Sequence, residues 1–197
     1  MTGPTQRERL GIESRRRIIA AAAALMAERG FAGTSIAAVS EKSGLPSGSI
    51  YWHFENKEAL LGAVIEEGAR QWFESLPGSR LASAEVASSF ADHPEFLRLL
   101  ILIALERREV DEASLEVIRR VRARARDGFE KELGQLLESH GNENAALLAR
   151  SFAILALAVA DGLFIAQHID PETTDASALL GLMKKALAAL ARELGGA

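Results

Sequence analysis

A chain of 197 residues, 48% hydrophobic and 25% charged, has ample apolar material for a core and fits one or two ordinary globular domains. It contains no cysteine, which excludes disulfides, thiolate metal sites and a cysteine nucleophile, and fits a reducing, cytoplasmic compartment. The net charge of −4 is unevenly spread: residues 1–58 hold eight Lys/Arg against six Asp/Glu, the remainder 15 against 21, so any attraction to a polyanion belongs to the N-terminal end.

Residues 1–13 are polar, with Gly3, Pro4 and Gly11, and read as a mobile arm. The stretch is polar and charged through Arg17 and has no apolar run of the kind a secretory leader carries. Arg7 and Arg9 have the chemistry to reach a minor groove or a phosphate, as basic arms do in some helix-turn-helix proteins, although a disordered tail accounts for the same residues. Ser14 is the expected N-cap of a first helix that runs to about Arg29, with Ile18, Ala22, Leu25 and Met26 on one face. Arg15, Arg16 and Arg17 open that helix, where each cation opposes the helix dipole by roughly 0.3–1 kcal/mol. A phosphate would offset this, and so would Glu13 or plain solvation. Gly30 stands where a left-handed C-cap belongs, and Phe31 is placed to close it against Met26.

Thr34 or Ser35 caps a second short helix, Ile36 to Ser43; Gly44 permits the turn, Leu45 anchors it, and Pro46 suits the first turn of a third helix, Ser47 to His53. Two short helices joined by a tight turn containing glycine are the signature of a helix-turn-helix. A helix as brief as the third is not stable alone, so its use is to present groups rather than to build a core. Ile50 and Phe54, four apart, turn inward. That leaves Ser47, Gly48 and Ser49 for base edges in a major groove, Tyr51 and His53 for phosphate oxygens, and Trp52 for packing against the duplex backbone. Asn56 caps a fourth helix, and Lys57 stands at its first position, where a cation is again dipole-unfavourable.

Gly30-Phe31, Thr34-Ser35-Ile36, Ser43-Gly44-Leu45, Ile50-Tyr51-Trp52-His53-Phe54 and Asn56-Lys57-Glu58-Ala59-Leu60 together resemble the DNA-binding domain of tetracycline-repressor-like (TetR-family) transcriptional regulators. The resemblance covers roughly residues 14 to 62. It implies a phosphate-binding role for Lys57, adds Thr34 and Ser35 to the DNA-binding candidates, and implies a homodimer. Beyond residue 62 only helix number and lengths agree.

The fourth helix continues through Leu60, Leu61, Val64 and Ile65 to about Phe73, and Pro77-Gly78-Ser79 marks a boundary. Leu81 to Ala91 is a weak helix. Pro94 opens a helix to Arg107 with an apolar stripe of Phe96, Leu99, Leu100, Ile103 and Ala104. Asp111 or Ser114 starts a long helix to about Ser139, and His140-Gly141-Asn142 breaks the chain. Its arginines 119, 120, 122, 124 and 126 pair with Glu116, Glu130 and similar neighbours, or one of them grips an acidic ligand. The segment from Asn144 to His168 is apolar nearly all round, interrupted by Asp161-Gly162, so it is buried on every side and a partner subunit covers one face. Its longest unbroken apolar run, Phe152 to Ala160, is far short of a membrane span, so no membrane partner is expected. Thr173 or Thr174 caps a last helix. Leu155, Val159, Gly162 and Leu163, with Met183, Leu187 and Leu190 from that helix, are expected in a four-helix dimer seam.

The expected architecture is all-α: a three-helix helix-turn-helix DNA-binding domain over residues 1–62, then a C-terminal helical ligand-binding and dimerisation domain over residues 63–197. The expected function is a homodimeric regulator, most often a repressor in this family, that binds a pseudo-palindromic operator on double-stranded DNA and is released by a small-molecule effector. Effector-contact candidates are Trp72, Phe73, Phe96, Leu100, Ile103, Arg122, Phe129, Phe152 and Phe164, although apolar residues inside helices are usually plain core. Two other readings stay open: a helical dimer with a vestigial head acting through protein partners, and a regulator with no effector. Nothing points to an enzyme. The sequence has no phosphate-cradling glycine loop and no GxSxG, and the four histidines at 53, 93, 140 and 168 are scattered, so no metal or other cofactor is expected.

Overall fold

The computed structural model describes residues 5–75, 92–105, 110–139 and 145–195. Among the described residues are eight helices and no strand: α1 (Gln6–Arg29), α2 (Ile36–Ser43), α3 (Ser47–His53), α4 (Lys57–Ser75), α5 (Pro94–Leu105), α6 (Glu112–Ser139), α7 (Ala145–Ile169) and α8 (Ala176–Gly195). The fold is all-α, with an N-terminal helix-turn-helix followed by C-terminal helices. The expected helix Leu81 to Ala91, the boundary at Pro77-Gly78-Ser79 and the break at His140-Gly141-Asn142 lie outside the described residues. The chain divides into two compact units: Met1–Gln71 with Glu95–Arg119, and Trp72–Pro94 with Arg120–Ala197.

The first unit corrects the reading of the N-terminus. Residues 6–13 are not an arm but the first two turns of α1, and Ser14 is not its cap: its hydroxyl donates back to the Leu10 carbonyl. The cap is Thr5. Its side chain accepts from the Glu8 N–H, and the Glu8 carboxylate accepts from the Thr5 N–H at 2.6 Å, a reciprocal capping box that satisfies two otherwise orphaned donors. These hydrogen bonds hold the Glu8 carboxyl below the usual carboxylate range. The T-x-x-E spacing of this box is visible in the sequence, and Gly11 sits inside the helix it opens.

α1 ends at Gly30, whose φ of 73° favours glycine and whose N–H donates to the Met26 carbonyl. Ser35 then caps α2 by accepting from the Ala38 N–H. Ile18, Met26, Val39, Ile50, Leu60, Leu61 and Ile65, all fully buried, form the core under α1 to α4. Asn56 starts α4 through its side-chain oxygen, which accepts from the Ala59 N–H at 2.7 Å. Gly68 lets α5 lie close on α4, because a Cβ there would stand 2.4 Å from the Phe96 ring. Asp111 rather than Ser114 caps α6; Ser114 is buried, with its hydroxyl donated to the Glu58 carbonyl.

The second unit centres on Leu137, Ala145, Ala149, Phe152 and Leu187, with Leu133, Leu148 and Met183 packed around them. Alanines every three or four residues along α7, at 145, 149, 153, 156 and 160, make its buried stripe. α8 is capped by Asp175, which accepts from the Ala178 N–H, and not by Thr173 or Thr174; Thr173 instead donates to Asp170.

Candidate nucleic-acid interface

The geometry of the head starts from the turn between α2 and α3. Gly44 adopts φ 66° and ψ 24°, a left-handed conformation, and the Leu45 N–H reaches back to the Ser40 carbonyl. Ser40 closes the same turn by donating its hydroxyl to the Leu45 carbonyl at 2.7 Å. Arg17 reaches across from α1 and donates to the Ser43 carbonyl at 2.6 Å, so an orphan carbonyl at the end of α2 is satisfied by a guanidinium. A Cβ on Gly44 would sit 3.1 Å from that guanidinium. Of the two offsets open to the arginines at 15–17, phosphate or groups of the chain itself, the structure supplies the second: Arg15 lies over the Phe54 ring at 5.3 Å, Arg16 pairs with Glu13 at 2.8 Å, and Arg17 holds the turn.

That turn sets the direction of α3. Ile50 and Phe54 are buried, which turns Tyr51 and Trp52 outward, 57% and 73% exposed. Gly48 is exposed and has open space where a side chain would be; nothing among the described residues requires a glycine there. The hydroxyls of Ser47, Ser49 and Tyr51 make no hydrogen bond among the described residues. His53 is half-buried, its ring edge-on to Trp52 at 4.5 Å. Burial and then the nearby Arg15 charge lower its pKa from the ordinary histidine value, which favours the neutral ring. The face therefore offers a gap, three hydroxyls, an indole and a neutral imidazole within one seven-residue helix.

The flanking candidates divide. Thr34 is 2% exposed and its hydroxyl donates to the Gly30 carbonyl, so its side chain serves the turn after α1 and drops out of the contact set. Ser35 is exposed, with its oxygen accepting the α2 cap bond. Lys57 is half-buried; its ammonium donates to the Phe31 carbonyl at 3.0 Å and sits 4.1 Å from the Phe31 ring centroid. These contacts offset the dipole penalty at the start of α4. A phosphate drawing on Lys57 has to share it with Phe31.

The effector candidates fall in both units. In the first, Phe96 and Ile103 are buried and Leu100 is partly buried. In the second, Trp72, Phe129, Phe152 and Phe164 are buried, Phe73 lies under the Arg124 guanidinium at 4.0 Å, and Arg122 makes a two-pronged pair with Asp161 whose shorter contact is 2.7 Å. A shallow concavity of about 460 Å³ is lined by Asp127, Glu130, Lys131 and Glu138 of α6 and by Ala146 and Ala149 of α7. None of the nine effector candidates lines it. Among the described residues no group of three or more His, Asp or Glu is placed to hold a metal ion.

The dimer candidates also divide. Leu155 is 50% exposed, Leu190 and Gly162 are exposed, and Val159, Leu163 and Met183 are half-buried. Leu187, at 6%, belongs to the core of its own unit, because the α8 stripe that carries it packs on Phe152 and Leu137. The apolar residues of α8 thus fall on two faces, one in the core and one outward. The exposed large apolar side chains described on these helices are instead Leu147, Ile154, Leu155, Ile165 and Ile169 on α7 and Leu179, Leu182 and Leu190 on α8. Spacings of seven and eleven residues in the sequence keep several of them in a row on one side of each helix, from Leu147 to Ile154, from Ile154 to Ile165 and from Leu179 to Leu190. By length and composition α7 is apolar enough to cross a membrane, which no single uninterrupted run had suggested.

Comparison with known proteins places these features. Residues 18–64 match the family described as bacterial regulatory proteins, tetR family. Over 54 residues the chain is 43% identical to the HTH-type transcriptional regulator TtgR of Pseudomonas putida, a stretch that covers 27% of this chain and 26% of that protein. Over 107 residues it is 30% identical to the HTH-type transcriptional repressor KstR2 of Rhodococcus jostii, covering 54% of this chain and 49% of the relative. The chain thus matches between a quarter and a half of the length of these curated relatives. Among solved structures, NemR of E. coli in its reduced form superposes with a TM-score of 0.69 at 17% identity, covering 88% of this chain and 96% of that one. The fatty acid degradation regulator FadR of Bacillus halodurans superposes at 0.64 and 17%, covering 95% and 96%. These likenesses show that the fold extends over nearly the whole chain.

Proposed function

Since the chain belongs to the TetR family, we propose that it is a homodimeric DNA-binding transcriptional regulator, acting as a repressor on a pseudo-palindromic operator in the bacterial cytoplasm. The observation that carries this reading is the outward face of α3. Ile50 and Phe54 are buried while Ser47, Gly48, Ser49, Tyr51, Trp52 and His53 are left without an internal task that requires their chemistry. Gly48 and the two serines approach base edges, Tyr51, His53 and Trp52 meet the backbone, and Ser35 and Lys57 add phosphate contacts from the flanking helix starts.

Residues 1–62 read the DNA, and residues 63–197 pair the subunits and carry the effector response. The apolar row on α7 and α8 supports the dimer: eight large aliphatic side chains described on adjacent helices of one unit are exposed in a single chain, and a second copy would bury them as a four-helix seam. Leu155, Val159, Gly162, Leu163 and Leu190 stay in that interface, with Met183 at its margin. An effector acts by binding more tightly to a state in which the two heads no longer match the operator spacing. Arg122, paired with Asp161, is the polar member of its contact set.

Selection of duplexes from a random pool, followed by titration at several salt concentrations, tests the reading. A selected pseudo-palindrome and a steep salt dependence are expected. Equal binding to every duplex, or none at moderate salt, would overturn it. A thermal-shift screen of metabolites tests the effector separately.

A further inference from the structure

α1 carries a second feature, distinct from the segment that matches the family, because residues 5–17 precede that match. Its first two turns are helical and firmly capped, with the end amides occupied by Thr5 and Glu8. What these turns present is therefore a lateral face and not a free helix end. Residues 7, 11 and 15, four apart, share one face of the helix, each about 6 Å further along the axis. Two of the three touch the end of α3: a Cβ on Gly11 would stand 3.8 Å from the Trp52 ring, and the Arg15 guanidinium lies over Phe54. Arg7 is the next residue outward on that face. It is exposed, and among the described residues its guanidinium makes no hydrogen bond or ion pair. The acids nearby are committed elsewhere, Glu8 to the cap and Glu13 to Arg16. From residue 5 to residue 17 there are five arginines and two glutamates.

We propose that the first two turns of α1 form a second DNA-contacting element, in which Arg7 grips a backbone phosphate just outside the half-site that α3 reads. The inference rests on the DNA-binding reading of α3 and extends its surface by one helical turn beyond Trp52. A duplex lying against Tyr51 and Trp52 continues towards Arg7, and a phosphate is the group that an unpaired guanidinium at an electropositive end recognises.

The test uses the full-length protein and two duplexes carrying the same selected operator, one trimmed to the operator ends and one extended by about five base pairs on each side. Arg7→Ala leaves the cap and core untouched, so its circular dichroism and melting curve should match wild type. On the extended duplex Arg7→Ala should bind about 2- to 10-fold more weakly and reduce the salt slope by about 0.9 per head, whereas Arg7→Lys should keep the slope. On the trimmed duplex wild type and Arg7→Ala should bind alike. Equal affinity of wild type and Arg7→Ala on the extended duplex would overturn the inference while leaving α3 as the reader. So would an equal loss on both duplexes. Wild-type protein that prefers no duplex at all would instead bring down the reading on which the inference rests.

Discussion

Gly48→Ala separates folding from binding at one atom. Gly48 lies in the first turn of α3, and a methyl there meets nothing within 4 Å. A glycine in a helix is less favourable than alanine by up to about 1 kcal/mol, through the extra freedom it gives the unfolded chain. The first turn realises part of this, so Gly48→Ala should stabilise the protein by about 0.5 kcal/mol. In a chain of this size that raises the melting temperature by about 1–2 °C. On DNA the same methyl enters the space where backbone and base edge approach, and a forced separation costs about 1–3 kcal/mol, by analogy with overpacked cores. We expect a loss of operator affinity of about tenfold or more, read by fluorescence anisotropy beside a urea melt of the same preparation. A variant that melts higher yet binds unchanged would show that Gly48 does not face the duplex closely. A variant that melts lower would refute the claim that the position is open.

Gly44→Ala should do the opposite: alanine pays about 1–2 kcal/mol for the left-handed conformation and also presses on Arg17, so stability should fall, and a denaturation midpoint equal to wild type would remove Arg17 and the turn from the account. Leu155→Asp combined with Leu182→Asp should give a folded monomer by sedimentation, whereas Leu187→Asp should unfold the second unit; a folded Leu187→Asp protein would contradict its burial. His53 has a folded pKa below its unfolded value near 6.5, so it releases its proton on folding. Its contribution to stability is full above about pH 6.5 and is lost as pH falls from there towards the folded pKa. Approaching phosphates raise that pKa, so operator binding should take up protons and strengthen as pH falls towards the folded pKa; a pH profile that is the same in His53→Gln would refute this.

The helix-turn-helix was legible because its constraints are local. Gly44 must take a left-handed turn, Ile50 and Phe54 must both face inward, and Asn56 must cap; each is visible as a residue type at a fixed offset. The caps were less legible wherever several polar residues competed. Thr5 and Ser14, like Asp175 and Thr173, offer nearly equal capping chemistry, since the preference among capping residues is small and spacing to the first turn decides. The role of Arg17 was hidden because its partner carbonyl lies 26 residues away in sequence. Leu187 and Leu190 look alike in a heptad count, yet one fills its own core and the other faces outward; only the packing of α8 on Phe152 tells them apart. The same difficulty applies to Thr34, a candidate by resemblance whose hydroxyl is consumed by the Gly30 carbonyl.

The lone acid of α7 has a consequence for synthesis. A 25-residue helix of this composition presents a ribosome-bound nascent chain with a stretch that insertion machinery could take for a bilayer anchor. Aspartate near the centre of such a stretch disfavours insertion by about 2.5–3.5 kcal/mol on the biological partitioning scale, a term that acts before any tertiary contact exists. Asp161 thus makes insertion of this stretch less favourable, and Arg122 pairs with the same carboxylate at 2.7 Å in the folded unit.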